Sequence, residues 1–185
     1  MIKPMKNSAL IISFVMSVTG CVTNPTLKSK VILSESVDKL DSTIFIDSRK
    51  TNQKITGSAG PEAYSGYRYG DDSFSPVPLV ILSNRLKNNE IIYKGNRSIN
   101  IRRFELLNIQ PTRESLIFAP PIITYAELPW GSAYFRCLVA AEVGGNSVRI
   151  NEEIHSTKKT FEKALKDIAL QCVSLAQVEI ESFFK

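Results

Sequence analysis

Side chains able to do chemistry are few in this chain, and their placement restricts what that chemistry can be. It holds one histidine, His155, and three cysteines, Cys21, Cys137 and Cys172. A Ser-His-Asp arrangement would have to use His155, which falls at the end of an alternating stretch, where a surface position is expected. A four-ligand zinc site needs converging histidines and thiolates. Cys137 and Cys172 instead sit within apolar patterns, so neither a metal nor a cofactor is expected. The adjacent carboxylates Asp71-Asp72 and Glu152-Glu153 invite general acid–base work. Neighbours on a loop or strand point apart and stay solvated, so no enzymatic activity is expected from them.

Cys21 has a different setting. Lys3 and Lys6 give a short basic start, an apolar run follows over 8–18, and Val18-Thr19-Gly20-Cys21 closes it. The run suits the apolar region of an export signal and falls short of the roughly 20 residues that span a bilayer. These four residues resemble the lipobox of bacterial lipoprotein precursors. The resemblance implies peptidase recognition through Val18, Thr19 and Gly20, then cleavage before Cys21. A thioether from the Cys21 thiol to diacylglycerol and acylation of the new amino group, palmitate among the chains, would follow. Several acyl chains on one residue give stable anchoring. Val22, in place of an aspartate, implies sorting to the outer membrane, with the protein on its periplasmic face.

Loss of residues 1–20 would leave 165 of the 185 residues, enough for one domain with a real core. The full chain has 23 basic and 18 acidic residues; without Lys3 and Lys6 the balance is +3. So mild an excess gives no ground for nucleic-acid binding. The expected organisation is a signal over 1–20, a lipid-anchored tether over 21–42, and one periplasmic domain over 43–185. Within the tether, Val31-Ile32-Leu33 is the one apolar cluster, able to dock as a short strand.

Residues 43–48 are β-branched and aromatic and predict a strand. Residues 49–75 carry four glycines with Tyr64, Tyr67, Tyr69 and Phe74, and read as a long connector or a tyrosine-rich contact loop. Ser75 and Pro76 suit the start of a short helix with Leu79, Leu82 and Leu86 on one face and Asn88-Asn89 as its stop. A brief edge strand is expected over 90–93. A longer one is expected over 98–109, with a bulge near Arg102-Arg103 where the alternation of Ile99 and Ile101 shifts to Phe104 and Leu106. Residues 110–131 are strongly apolar yet interrupted by Pro120, Pro121 and Pro129. A strand over 133–143, a turn at Gly144-Gly145-Asn146 and a returning strand over 147–156 predict a hairpin. A helix over 157–184 follows, capped by Thr160, with Phe161, Leu165, Ile168, Cys172, Leu175, Ala176 and Ile180 as its stripe. The fold class is α+β: a mostly antiparallel four- to five-stranded sheet with two helices on one face.

This order of elements, with the lipobox, the strand at 44–47, the leucine helix and the terminal hairpin and helix, resembles small outer-membrane lipoproteins of the YajG type. More distantly it is similar to the lipopolysaccharide-assembly lipoprotein LptE. The resemblance implies a non-enzymatic partner of other envelope proteins.

Cys137 on its strand and Cys172 on its helix both lie on apolar faces that must meet, so a disulfide closing a loop of 36 residues is feasible. Two surfaces are candidates for binding. The apolar loop either packs on its own domain or meets another envelope protein, through Phe118, Ile122, Ile123, Tyr125 and Trp130. Alternatively Arg97, Arg102 and Arg103, in a basic run from Arg85 to Arg103, could grip lipopolysaccharide phosphates.

Overall fold

Two alternating apolar runs joined by a pair of glycines form the centre of the sheet. The computed structural model describes residues 27, 29–33, 40, 44–58, 67–89, 92, 98–108, 133–158 and 160–184. In it β7 (Ala133–Val143) and β8 (Asn146–Ser156) pair without interruption from Val143↔Asn146 to Ala133↔Ser156. Gly144 and Gly145 turn the chain at φ 55° and 89°, the left-handed backbone that a two-residue hairpin demands. Phe135, Cys137, Val139, Ala141 and Val143 are buried along β7, and Val148, Ile150 and Ile154 along β8.

β6 (Ile99–Asn108) lies antiparallel on the other side of β7, and its register shifts between Ile101 and Arg103. The expected bulge is there. It puts Ile99 and Ile101, then Phe104 and Leu106, into one buried layer. The far edge of β6 is shared by two short strands. β2 (Phe45–Asp47) runs parallel along Ile99–Ile101, and β4 (Tyr67–Tyr69) runs antiparallel along Leu106–Asn108. β3 (Gly57–Ser58) pairs outside β4, giving six strands, all antiparallel except β2. A separate parallel pair joins β1 (Val31–Ile32) to β5 (Phe74–Ser75), so the apolar cluster of the expected tether does dock, with Val31 and Leu33 buried.

Two helices complete the α+β architecture. α1 (Pro78–Lys87) buries Leu79, Leu82 and Leu86 and ends at Asn88. α2 (Phe161–Ser182) starts at Thr160, whose hydroxyl accepts from the Lys163 amide at 3.4 Å. α2 contacts α1, β7 and β8, and its Ala164, Leu165, Ile168, Ala169, Cys172, Val173, Ala176 and Ile180 are buried in the same core. Small side chains at 164, 169, 172 and 176 let its backbone come close to the sheet. There Cys172 meets Cys137: the Sγ atoms are 2.00 Å apart, the Cα atoms 5.6 Å, and both residues are fully buried. The feasible disulfide is formed.

The structure corrects three expectations. The described residues of 49–75, all but 59–66, are not a plain connector: they contribute β3, β4, β5 and 3-10 turns at Thr51–Gln53 and Asp71–Ser73. Tyr69 and Phe74 are core residues rather than contact-loop aromatics, and the Tyr69 ring lies 5.7 Å from Phe135 and 5.5 Å from Phe161. The first helix begins at Pro78, after Val77 and without a side-chain cap, so Ser75 and Pro76 lie upstream of it. Leu175 leaves the stripe of α2 and is 39% exposed, because Val173 and Ala176 occupy the packed face. The strand expected over 90–93 lies largely outside the described residues.

Closing a loop of this length stabilises by about 4 kcal/mol in the chain-entropy account. A Cys137→Ala/Cys172→Ala variant is expected to lose roughly that much in urea unfolding. A loss under about 1 kcal/mol would show that packing alone holds α2 to the hairpin.

Candidate functional site

An Asp-x-Arg sequence at the end of β2 creates a charged cluster among the described residues. Arg49 is turned inward, its side chain only 2% exposed, and its guanidinium is forked by two carboxylates. Nε and one terminal nitrogen donate to Asp47 at 2.9 and 3.0 Å, and the two terminal nitrogens donate to Asp71 at 3.0 and 2.7 Å. Lys54 closes on Asp47 at 2.9 Å, so two cations face two carboxylates. Burial raises the Asp47 pKa, but the hydrogen bonds and charge of Arg49 and Lys54 outweigh it and hold the carboxyl at about 2. Burial works against the Arg49 cation too, and the two aspartates more than offset it, so its pKa is raised. Asp72 turns the other way and accepts from the Thr56 amide at 2.9 Å and from its hydroxyl. The neighbouring aspartates therefore serve different structural partners rather than one reaction centre. Gly70 makes this crossing possible: a Cβ there would lie 2.5 Å from the Lys54 carbonyl oxygen.

The described part of the basic run brings its own counter-charges. Arg102, in the bulge, pairs with Glu142 at 2.6 Å, and Arg103 donates to Glu105 at 2.7 Å. Glu105 is buried and also receives Arg68 at 3.3 Å. Arg85 reaches across to Ser174 on α2 at 3.0 Å. Arg102 and Arg103 thus lie on adjacent positions of one strand, each engaged by a carboxylate of the sheet. Arg97 lies outside the described residues.

His155 is exposed on β8, its ring stacked 5.8 Å from Tyr134. Next to it, Ser156 is buried and its hydroxyl donates to Asp167 of α2 at 2.6 Å. Successive strand residues face opposite sides of a sheet, so histidine, serine and aspartate do not form a relay. The sequence reading missed this Ser156–Asp167 tie; a polar residue at the otherwise apolar position 156 of an alternating strand was its one signal. Among the described residues no group of three or more possible metal ligands occurs, and no helix is long and apolar enough to cross a membrane. The lipobox residues Val18, Thr19, Gly20 and Cys21 lie outside the described residues. So do Phe118, Ile122, Ile123, Tyr125 and Trp130.

An open concavity adjoins His155 and Asp167. A groove of about 780 Å³ runs between β8 and α2, with Ile150, Ile154, Leu170, Leu175 and Val178 as its apolar wall and Glu152, Asp167 and Glu179 among its polar groups. With Leu175 expected in the apolar stripe of α2, the sequence carries no sign of this groove. Comparison with protein-family models, curated proteins and solved structures finds no match for the chain.

The Asp47 pKa is lowered on folding from an ordinary 3.8 to about 2. Its contribution is therefore complete above pH ~4 and is lost as pH falls towards 2, in all about 2 kcal/mol. In urea unfolding at stepped pH, the gap between the native chain and Asp47→Asn should narrow across that window. A gap that stays constant would contradict the assigned role.

Proposed function

We propose that the chain is the precursor of a non-enzymatic lipoprotein, anchored through Cys21 to the periplasmic face of the outer membrane, whose domain binds another envelope protein. The observation that carries this reading is the run from the basic start through 8–18 to Val18-Thr19-Gly20-Cys21. Each part has a physical reason. The apolar run enters the export machinery, small residues let an extended chain reach the peptidase, and the thiol is the nucleophile that takes diacylglycerol. The Cys137–Cys172 bridge supports it, since disulfides persist in oxidising compartments such as the periplasm. So do the structural partners of Asp71, Asp72, Asp167 and Ser156, which engage the groups that a hydrolytic centre would have used.

The partner-binding surface in this reading is the apolar segment 110–131, through Phe118, Ile122, Ile123, Tyr125 and Trp130. An aromatic and aliphatic cluster of this kind suits the desolvated centre of a protein interface. The lipid-phosphate alternative has less behind it, because Arg102 and Arg103 are already held by Glu142 and Glu105. Arg103 would have to leave the buried Glu105 carboxylate to meet a phosphate, whereas the exposed Arg102–Glu142 pair is held only weakly.

Crosslinking in intact bacteria followed by pulldown tests the proposal. The native chain is expected to recover a defined envelope protein, and a Phe118→Ala/Trp130→Ala variant to lose at least ten-fold of it at equal expression. Recovery of the same partners by both would remove the 110–131 segment from the binding surface. Recovery of none would remove the adaptor reading.

A further inference from the structure

Among the described residues β8 pairs with no strand but β7, and at its second edge Gln171 of α2 reaches the His155 carbonyl alone. At the opposite side of the sheet the outer strands are β3, with two residues, and β2, with three. Natural sheets blunt an edge by shortening the strand or by lysine, proline or a bulge. β8 keeps its full length and a continuous register and contains neither lysine nor proline; its charges are Arg149, Glu152 and Glu153. Which groups face outward follows from the turn. Residues closing a two-residue hairpin exchange both hydrogen bonds, and pairs then alternate. From Val143↔Asn146, this leaves the backbone groups of Ser147, Arg149, Asn151, Glu153 and His155 directed to the open edge. The His155 carbonyl indeed points that way, since it accepts from Gln171 of α2 at 3.4 Å.

We propose that β8 is a self-association edge, at which a second copy of this chain adds its own β8 antiparallel about Asn151. Charge selects both the occupant and the register. Arg149 and Glu153 are equidistant from Asn151 and share the sheet's outer face, so this pairing sets each Arg149 opposite the second copy's Glu153, twice across the two-fold axis. Sliding the copy by one allowed step either way sets Arg149 opposite Asn151 or His155 instead. Arg149 makes no ion pair among the described residues, while Glu153 is 62% exposed even with Arg136 at 3.0 Å. The axis stands perpendicular to the sheet, so both α2 helices come to the same face. The groove beside β8 then meets its twin and covers Leu175 and Val178, which are 39% and 67% exposed in one copy.

The register gives a sharp test. Asn151 would face itself across a hydrogen-bonded pair, at about 5.5 Å between Cα atoms, within the range a disulfide bridges. Ser147 would lie eight residues from its own twin, roughly 27 Å away. In whole cells, and in the full chain purified in detergent, Asn151→Cys is expected to give a disulfide-linked dimer at least ten-fold above Ser147→Cys. Arg149→Glu added to Asn151→Cys should reduce the yield, and Arg149→Glu with Glu153→Arg should recover it. Circular dichroism follows the fold of each variant. Should Asn151→Cys not fold, a mixture of Arg149→Cys and Glu153→Cys chains reads the same register. Equal yields at 147 and 151, or monomer throughout, would overturn the proposal. Two further results would overturn it as well: crosslinks only to a different protein, and dimers that form only after deletion of 111–131, which would mean that the chain covers its own edge.

Discussion

The contact of α2 with the β7–β8 hairpin is the one on which the other contacts depend. β6 is aligned by β7, and β2 and β4 are aligned in turn by the two halves of β6. Neither short strand has enough residues to hold itself, since isolated pairs of this length are marginal in water. α1 likewise finds in α2 its largest contact with another element. The helix can carry this load because its inward face alternates large aliphatic and small residues, which settle into the layer of Phe135, Val139 and Ile150. Cys137–Cys172 makes that contact covalent near its middle.

Polar groups complete what apolar packing leaves open. The fork of Asp47 and Asp71 about the buried Arg49 ties the end of β2 to the turn before β5. Breaking such a fork on one side strands a buried charge, so its members are bound to one another more than to any ligand. On the outer face, Glu105 between Arg68 and Arg103 does similar work beside the small buried pair Leu107 and Leu138. Among the described residues the buried Tyr69 hydroxyl has no hydrogen-bond partner, and burial first, then the neighbouring Tyr67, keeps its proton on by raising the pKa.

Elements with long periodic patterns were legible in the sequence. The hairpin, the bulge at Arg102-Arg103, the Thr160 cap and the cysteine pair each follow from alternation or helical spacing sustained over eight or more residues. Residues 49–75 were not legible, for a physical reason. Strands of two or three residues carry no detectable period, and the buried Tyr69 and Phe74 look the same in sequence as exposed loop aromatics. Charge misled in a related way. Counting Arg102 and Arg103 along the chain cannot show that Glu142 arrives from the next strand, or that Glu105 and Arg103 share a face beyond the bulge. Leu175 was misplaced because a stripe of small residues packs more tightly than one of leucines, narrowing the buried arc of α2.

The proposed lipoprotein joins a covalently braced domain to an N-terminal segment that resembles a lipobox. The central claim is the processed and acylated Cys21, and intact-mass spectrometry of protein purified from bacterial membranes tests it most directly. The account predicts a chain that begins at Cys21, heavier by a diacylglyceryl group and an N-acyl chain, and lighter by the two hydrogens of the Cys137–Cys172 bridge. A chain that retains residues 1–20, or one that starts at or beyond Cys21 without acyl mass, would contradict it.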